Sequence, residues 1–194
     1  MKTFFIRVIQ GAQLLLFYVW NKHAFKKLEL RALVSLPHRI EGAKYISLHR
    51  SVRIKSHSWL TAFKIDEVDP DMTFGEGCSI GDFNHIAAVR SVIFGRNVLT
   101  ANGVYISDNL HGFEDINIPI MFQPVKFKSP VVIGDGSWIG ENACIIGAKI
   151  GKNCVIGANS VVLQDVPDYS VAVGSPARII KRFNTETNRW EVIV

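Results

Sequence analysis

The sequence predicts an all-β fold, a triangular parallel β-helix of about five coils, and two observations in residues 131–162 predict it. In VVIGDGSWIGENACIIGAKIGKNCVIGANSVV the aliphatics Ile133, Ile139, Ile145, Ile150, Ile156 and Val162 follow one another at steps of six, six, five, six and six. Two residues ahead of each stands a smaller one, namely Val131, Ser137, Ala143, Ala148, Cys154 and Ser160. A helix smears a six-residue step around its surface, and a flat strand gives it no turn. A chain that makes a short strand and a corner every six residues keeps both sets inside. Three hexads close one coil, and each coil buries what the last one exposes. Gly134, Gly140, Gly151 and Gly157, with Asn142, Asn153 and Asn159, are residues that accept the tight turns between strands.

Residues 1–44 differ in kind and are predicted to form an N-terminal amphipathic helical segment. FFIRVIQGAQLLLFYVW carries Arg7, Gln10 and Gln13 three apart, and Lys22, His23, Lys26, Lys27 and Arg31 follow it. About 20 mostly apolar residues are needed to cross a bilayer, so this helix is predicted to lie flat. Two surfaces suit it: the coil or a neighbouring subunit, and a membrane contacted through residues 1–27. No small-residue cleavage motif follows it, so a signal peptide is not expected.

Residues 45–173 hold the coil. The rhythm starts faintly at Leu48, Ile54 and Leu60, breaks at 63–67, and resumes at Val68, Phe74, Ile80 and Ile86, with Val52, Met72 and Cys78 in the small-residue register. Phe94, Thr100 and Ile106 follow, with Val92, Val98 and Val104 two residues ahead of them. Between Ile106 and Val131 the period stops, and the segment 107–130, with Pro119, Pro124 and Pro130, is predicted to leave the coil as a functional loop. Asp165 and Pro167 end the repeat, and residues 174–194 form a short C-terminal extension whose apolar end covers the coil's open edge or pairs with another chain.

A length of 194 residues, 48% hydrophobic and 20% charged, suits one substantial domain. Lys and Arg number 22 against 17 Asp and Glu, a formal charge of +5 that is too diffuse to argue for nucleic acid. Cys78, Cys144 and Cys154 lack metal-ligand spacing and read as reduced core fillers of a cytoplasmic protein.

The repeat resembles that of the hexapeptide-repeat acyltransferases. Within that family the chain is similar to capsule and lipopolysaccharide O-acetyltransferases and to the galactoside and maltose type of sugar O-acetyltransferase. The resemblance implies a left-handed coil, an exception to the usual right-handed crossover. It also implies a homotrimer with active sites between subunits, acetyl-CoA as the acyl donor, no metal, and an acceptor hydroxyl on a sugar or polysaccharide precursor. The reduced cysteines and the amphipathic segment together predict a location in the cytoplasm or at the inner face of the cell membrane.

Residue by residue, Asp108, His111 and Gly112 match the D-x-x-H-G found where the loop leaves the coil in these O-acetyltransferases, and Asn109 replaces a second His of many relatives. The match makes His111 the general base: a neutral imidazole takes the proton of an acceptor hydroxyl as its oxygen attacks the thioester carbonyl directly. Asp108, and Asn84 beside the competing histidine His85, are placed by the resemblance at the acceptor. Trp138 matches the Trp-Ile-Gly whose indole lines the slot for the pantetheine arm, where an aromatic plane suits a narrow apolar chain. Ala158 matches a position whose backbone lies along that arm, and Arg178 and Lys181 match cations near the nucleotide phosphates. Two departures stand out. Leu163-Gln164-Asp165 replaces a common Thr-Lys-Asp, removing a cofactor-facing cation, and the short step from Ile145 to Ile150 suggests a tightened turn beside the cofactor groove.

Two other readings use the same scaffold. A metalloenzyme like the γ-class carbonic anhydrases needs three convergent His ligands, and of six His only His85 and His111 fall in or next to the active region of the repeat. A non-catalytic β-helix that binds partners is the third.

Overall fold

The computed structural model describes residues 2–193, with side chains described from residue 12 onward. Six complete coils stack in one prism, and each contributes one strand to each of three parallel sheets, here called the first, second and third faces. The first coil is formed by Lys27–Leu28, Leu33–Val34 and Arg39–Glu41. Coil 2 has Ile46–Leu48, Arg53–Ile54 and Trp59–Ala62; coil 3 has Asp71–Phe74, Ser79–Ile80 and His85–Ala88. Coil 4 has Ser91–Phe94, Leu99–Thr100 and Tyr105–Ser107, and coil 5 has Val131–Ile133, Trp138–Ile139 and Cys144–Ile146. Lys149–Ile150, Val155–Ile156 and Val161–Val162 make coil 6.

The spacing of the aliphatics follows directly from this stacking. Phe74 pairs with Phe94, Phe94 with Ile133 and Ile133 with Ile150, so one inward column runs through four coils. Every member of that column is at most 1% exposed. The Phe74 and Phe94 rings stack at 4.6 Å. Burying an aliphatic or aromatic side chain of this kind contributes roughly 1.5–3 kcal/mol, and the column repeats that gain in every coil it runs through. The small-residue register lies inside too. Cys78 and Cys154 are buried, and the hydroxyl of Ser137 donates to the carbonyl of Gly151 (2.7 Å) while accepting the amide of Cys154 (2.9 Å).

There is one more coil than the period over 48–162 counts. Leu28, Val34 and Ile40 are six apart and build it, within the segment expected to be helical as far as residue 44. The helix itself runs Lys2–Asn21. Its Phe17 and Tyr18 pack on the core at the first coil, with the Phe17 ring 6.2 Å from Phe25. Of the polar stripe, Gln13 is exposed, and the side chains of Arg7 and Gln10 lie outside the described residues. Among the described residues no helix is long and apolar enough to cross a membrane.

Two of the three corners are tight and alike from coil to coil. Ser51, Gly77, Asn97, Gly136 and Asn153 take positive φ between the first and second faces, as do His57, Phe83, Gly103, Asn142 and Asn159 between the second and third. Gly103 shows why glycine is required at some of them: a Cβ there would stand 2.3 Å from the side-chain oxygen of Asn142, which covers it from the next coil. Gly134, by contrast, does not have positive φ; a Cβ on it would lie 2.5 Å from the backbone of Gly151, so close approach of coils, not a turn, selects it.

The third corner, between the third face and the first face of the next coil, is where length varies. Residues 63–70 bulge out after coil 2, and residues 108–130 after coil 4, the latter carrying a hairpin of Asn109–His111 against Val125–Phe127. Past coil 6, Ser170–Gly174 adds to the second face, and Ala177–Asn184 and Arg189–Val192 extend it with antiparallel strands. The C-terminal extension therefore widens one face, with Arg189–Val192 as its exposed outermost strand.

Replacing Gly103 with Ala combines a strained φ with that overlap, and is expected to lower unfolding free energy by about 1–3 kcal/mol. Adding Asn142→Gly, which removes the struck side chain, is expected to recover part of the loss; thermal denaturation of both variants measures it.

Candidate active site

The loop that interrupts the repeat is fixed at its root by a carboxylate. Asp108 is fully buried, and its Oδ1 accepts the amide of Val89 (2.9 Å) while Oδ2 accepts those of Arg90 (2.7 Å) and Ser91 (2.7 Å). Three backbone donors of the coil-3 corner are thus satisfied by one side chain, an arrangement whose loss leaves buried N–H groups unpaired. Asn109 donates its side-chain amide to Asp108 (3.0 Å), and the amide of Lys128 reaches the Asp108 carbonyl (2.8 Å), closing the loop where it opened.

From this root the hairpin carries His111 outward, opposite Val125 in register. Its imidazole is exposed. Arg90 braces the hairpin from the side: its guanidinium pairs with Asp66 of the 63–70 bulge and lies 5.9 Å from the Phe127 ring. Lys126 and Glu114 form an ion pair at 2.8 Å, and the ammonium holds the Glu114 carboxyl down at about 2. The amide of Gln123 donates to the carbonyls of Asp115 and Ile118, both at 2.8 Å, tying the tip together.

A column of rings lies on the outer side of the third face, leading toward the loop. Trp59 and His85 stack at 4.2 Å with planes 4° apart, and Tyr105 meets His85 edge-on at 5.2 Å. Arg39 adds its guanidinium 5.6 Å from the Trp59 ring. Burial among these rings pushes the His85 imidazole below its ordinary value. Trp59 and Tyr105 are absent from the sequence-based site, although each precedes a core aliphatic (Leu60, Ile106) just as His85 precedes Ile86, so register alone places the three in one column.

The two residues assigned to the acceptor by resemblance serve the fold. Asp108 holds the coil-3 corner as above. Asn84 is 1% exposed, its amide donating to the carbonyls of Ala101 (3.0 Å) and Asp82 (3.2 Å) while its oxygen accepts the Thr100 hydroxyl (3.2 Å). Each fills a position where a polar group is satisfied inside the coil of its own chain.

The residues assigned to the cofactor fall together on the second face. Trp138 is 47% exposed and opposite Val155, which is opposite Val171, which is opposite Lys181. These four share one line across the sheet, three strand spacings or roughly 14 Å long. Arg178 sits two strand positions away, opposite Val173, and is exposed, as is Ala158 at the corner of coil 6 beside Asn159. An aromatic plane at one end and two cations at the other suit an apolar arm ending in phosphates. Gln164 lies instead at the third corner of coil 6. The short step from Ile145 to Ile150 also falls there, at Gly147, whose carbonyl accepts the Ser129 hydroxyl (2.6 Å). The tightened turn therefore seats the end of the loop, away from the second face of its own chain.

In a triangular prism the third corner is opposite the second face. One chain consequently does not bring His111 to the Trp138 line. Among the described residues no three His, Cys, Asp or Glu side chains converge as metal ligands, and His85 and His111 stand on separate elements.

Comparison with known proteins agrees with this architecture. Residues 130–164 match the family described as the hexapeptide repeat of succinyl-transferase. The Escherichia coli K12 protein WbbJ, named for O-acetyl transfer in lipopolysaccharide biosynthesis, is 40% identical over 126 residues, covering 61% of this chain and 64% of WbbJ. Galactoside O-acetyltransferase of the same strain is 32% identical over 133 residues, covering 63% and 64%. The chain thus matches less than two thirds of the length of either relative. Among solved structures, the Bacillus cereus N-acyltransferase AntD in complex with dTDP and 3-hydroxybutyryl-CoA shares the fold, with a TM-score of 0.69 at 20% identity over 87% of this chain and 88% of AntD.

Because the folded His85 holds its proton less tightly than the unfolded chain's, unfolding is coupled to proton uptake, and the associated stability is full above the ordinary His range and lost as pH falls through it. Lowering pH from about 7.5 to about 5.5 is expected to lower the melting temperature, and less so in His85→Phe; calorimetry across that range checks the difference.

Proposed function

We propose that this chain, which carries the hexapeptide repeat of the acyltransferase family, moves an acetyl group from acetyl-CoA to a hydroxyl of a sugar. The observation that carries the reading is the division of labour in the prism: an exposed imidazole on a braced hairpin at the third corner, and an aromatic-to-basic line on the opposite face. Neither half is a site alone. Three copies around an axis, each offering its third corner to the next chain's second face, would make three equal sites, so the reading includes a homotrimer.

In that assembly the Nε2 or Nδ1 of His111 accepts the proton of the sugar hydroxyl as the oxygen attacks the thioester carbonyl. The tetrahedral intermediate collapses with cleavage of the carbon–sulfur bond, and the imidazolium returns the proton to the departing thiolate. No acyl-enzyme forms, and the histidine ends as it began. Trp138 lines the pantetheine arm, and Lys181 with Arg178 meets the phosphates, the contacts that hold the thioester within reach of the hairpin. The clamp at Asp108 and the brace at Arg90 matter because a base 1 Å out of place transfers protons poorly.

A sugar acceptor is supported by the names of the relatives, O-acetyl transfer in lipopolysaccharide biosynthesis and galactoside O-acetylation. A cell-surface polysaccharide or its precursor fits the first of these names. The cytoplasm is the proposed location, with residues 1–27 holding the enzyme to the inner face of the membrane. The metalloenzyme reading is not favoured, since the relatives are named for acetyl transfer.

His111→Ala is expected to lower the turnover number at least about a hundredfold, measured as thiol released from acetyl-CoA in the presence of a panel of galactosides, glucosides and amino sugars. Light scattering on the same variant is expected to report an unchanged assembly. Turnover near the parent's would remove His111 from its role.

A further inference from the structure

The charge of this chain is concentrated at one end. Residues 1–36 contain Lys2, Arg7, Lys22, Lys26, Lys27 and Arg31 against Glu29, a surplus of five, which equals the formal +5 of the whole chain. Removing six from 22 and one from 17 leaves 16 of each sign in the remainder, so the rest of the prism is neutral overall. That end also carries large apolar side chains that face solvent, a second such group (Phe113, Ile116, Ile120, Met121 and Phe122) standing on the 108–130 loop, which has no cationic surplus comparable to it. Trp20 is 82% exposed and Leu36 76%, with Leu15, Leu16, Val19 and Leu30 all more than half exposed.

These residues come from two elements that fold against each other. Leu15, Leu16, Val19 and Trp20 lie on the N-terminal helix, while Leu30 and Leu36 lie at corners of the first coil. Leu14, Leu15, Leu30 and Arg31 line one shallow apolar cavity of about 240 Å³, so helix and coil present a joint surface. Lys27 is held by Glu29 (2.7 Å) and Lys26 by Asp71 (3.2 Å). Lys22 and Arg31 are exposed and have no carboxylate within 4 Å among the described residues.

We infer that this composite end, helix and first coil together, is a docking face for an anionic lipid bilayer. The inference deepens the membrane part of the proposed function, and adds Leu30, Leu36 and Arg31 of the coil to a contact previously confined to residues 1–27. Charge complementarity selects this occupant. A second copy of the chain would bring the same surplus of cations against itself, whereas acidic headgroups neutralise it at about 1 kcal/mol per basic residue near the surface. Exposed Trp and Leu beside Lys and Arg are the composition of an interfacial segment, the rings and aliphatics entering the acyl boundary while the cations stay at headgroup level.

The test uses the full chain and flotation with two vesicle preparations, phosphatidylcholine alone and phosphatidylcholine with phosphatidylglycerol. The protein is expected to float with the second and to stay behind with the first, and added salt is expected to release it. The double variant Leu16→Ser, Trp20→Ser is expected to lose at least about tenfold in bound fraction, as is Leu30→Ser, Leu36→Ser, with melting temperature and light-scattering mass unchanged. Parent protein that stays behind with both vesicles overturns the inference. So does a change of mass in either double variant, which would give the face to a second copy. Acetyl transfer to a soluble sugar, assayed on the same samples, separates the two readings: flotation without transfer sinks the enzymatic proposal alone, and transfer without flotation sinks this one.

Discussion

Hydrogen bonds between successive coils run along the axis of the prism, and the rest of the structure depends on their remaining in register from the first coil to the sixth. A parallel ladder tolerates no slip, because displacement by one residue exchanges the inner and outer side chains of the whole strand. The inward column through Phe74, Phe94, Ile133 and Ile150 is one expression of that constraint. The corners are another, since a left-handed residue in one coil lies under an asparagine of the next, and the two must be compatible in size.

Against this regular body, the functional features are places where the ladder is interrupted without being broken. Asp108 stands at the last point before the chain departs, and it compensates the coil-3 corner for the neighbour it would otherwise have had. A charged group buried this deeply is stabilised only by donors that match it, and here the donors are backbone amides held by the coils themselves. The loop is therefore long yet anchored, and the hairpin bearing His111 inherits the rigidity of its base. Arg90 links it to the smaller bulge at 63–70, so two departures from the repeat brace each other.

Much of this was legible in the residues. Period and small-residue register placed the core of coils 2 to 6, except that Val68, which keeps the step of six to Phe74, stands exposed in the 63–70 bulge, and the gap after Ile106 located the loop. The first coil is hard to read in the sequence because Lys26, Lys27, Glu29 and Arg31 surround its aliphatics, masking a step of six that Leu28, Val34 and Ile40 nonetheless keep. The acceptor residues are hard to read from sequence for a different reason. A polar residue in a small-residue slot, such as Asn84, reads equally as a ligand contact or as a satisfied interior group, and only the partners of its amide distinguish them. The column of Trp59, His85 and Tyr105 required knowing which residues become neighbours when coils of unequal length stack, because the intervals of 26 and 20 residues between them carry no common period.

The third corner tolerates length in a way the other two do not. Gly147 and Ala148 suffice there between coils 5 and 6, eight residues pass between coils 2 and 3, and a segment with its own hairpin between coils 4 and 5, all with the axial ladder intact on either side. Insertions at this edge are consequently inexpensive in evolution, whereas an insertion within a face would derange every coil beyond it. A chain built on this frame can exchange the material around His111 while inheriting the wall that carries Trp138 and Lys181 unaltered, so on the proposed reading acceptor preference and donor preference are free to diverge independently.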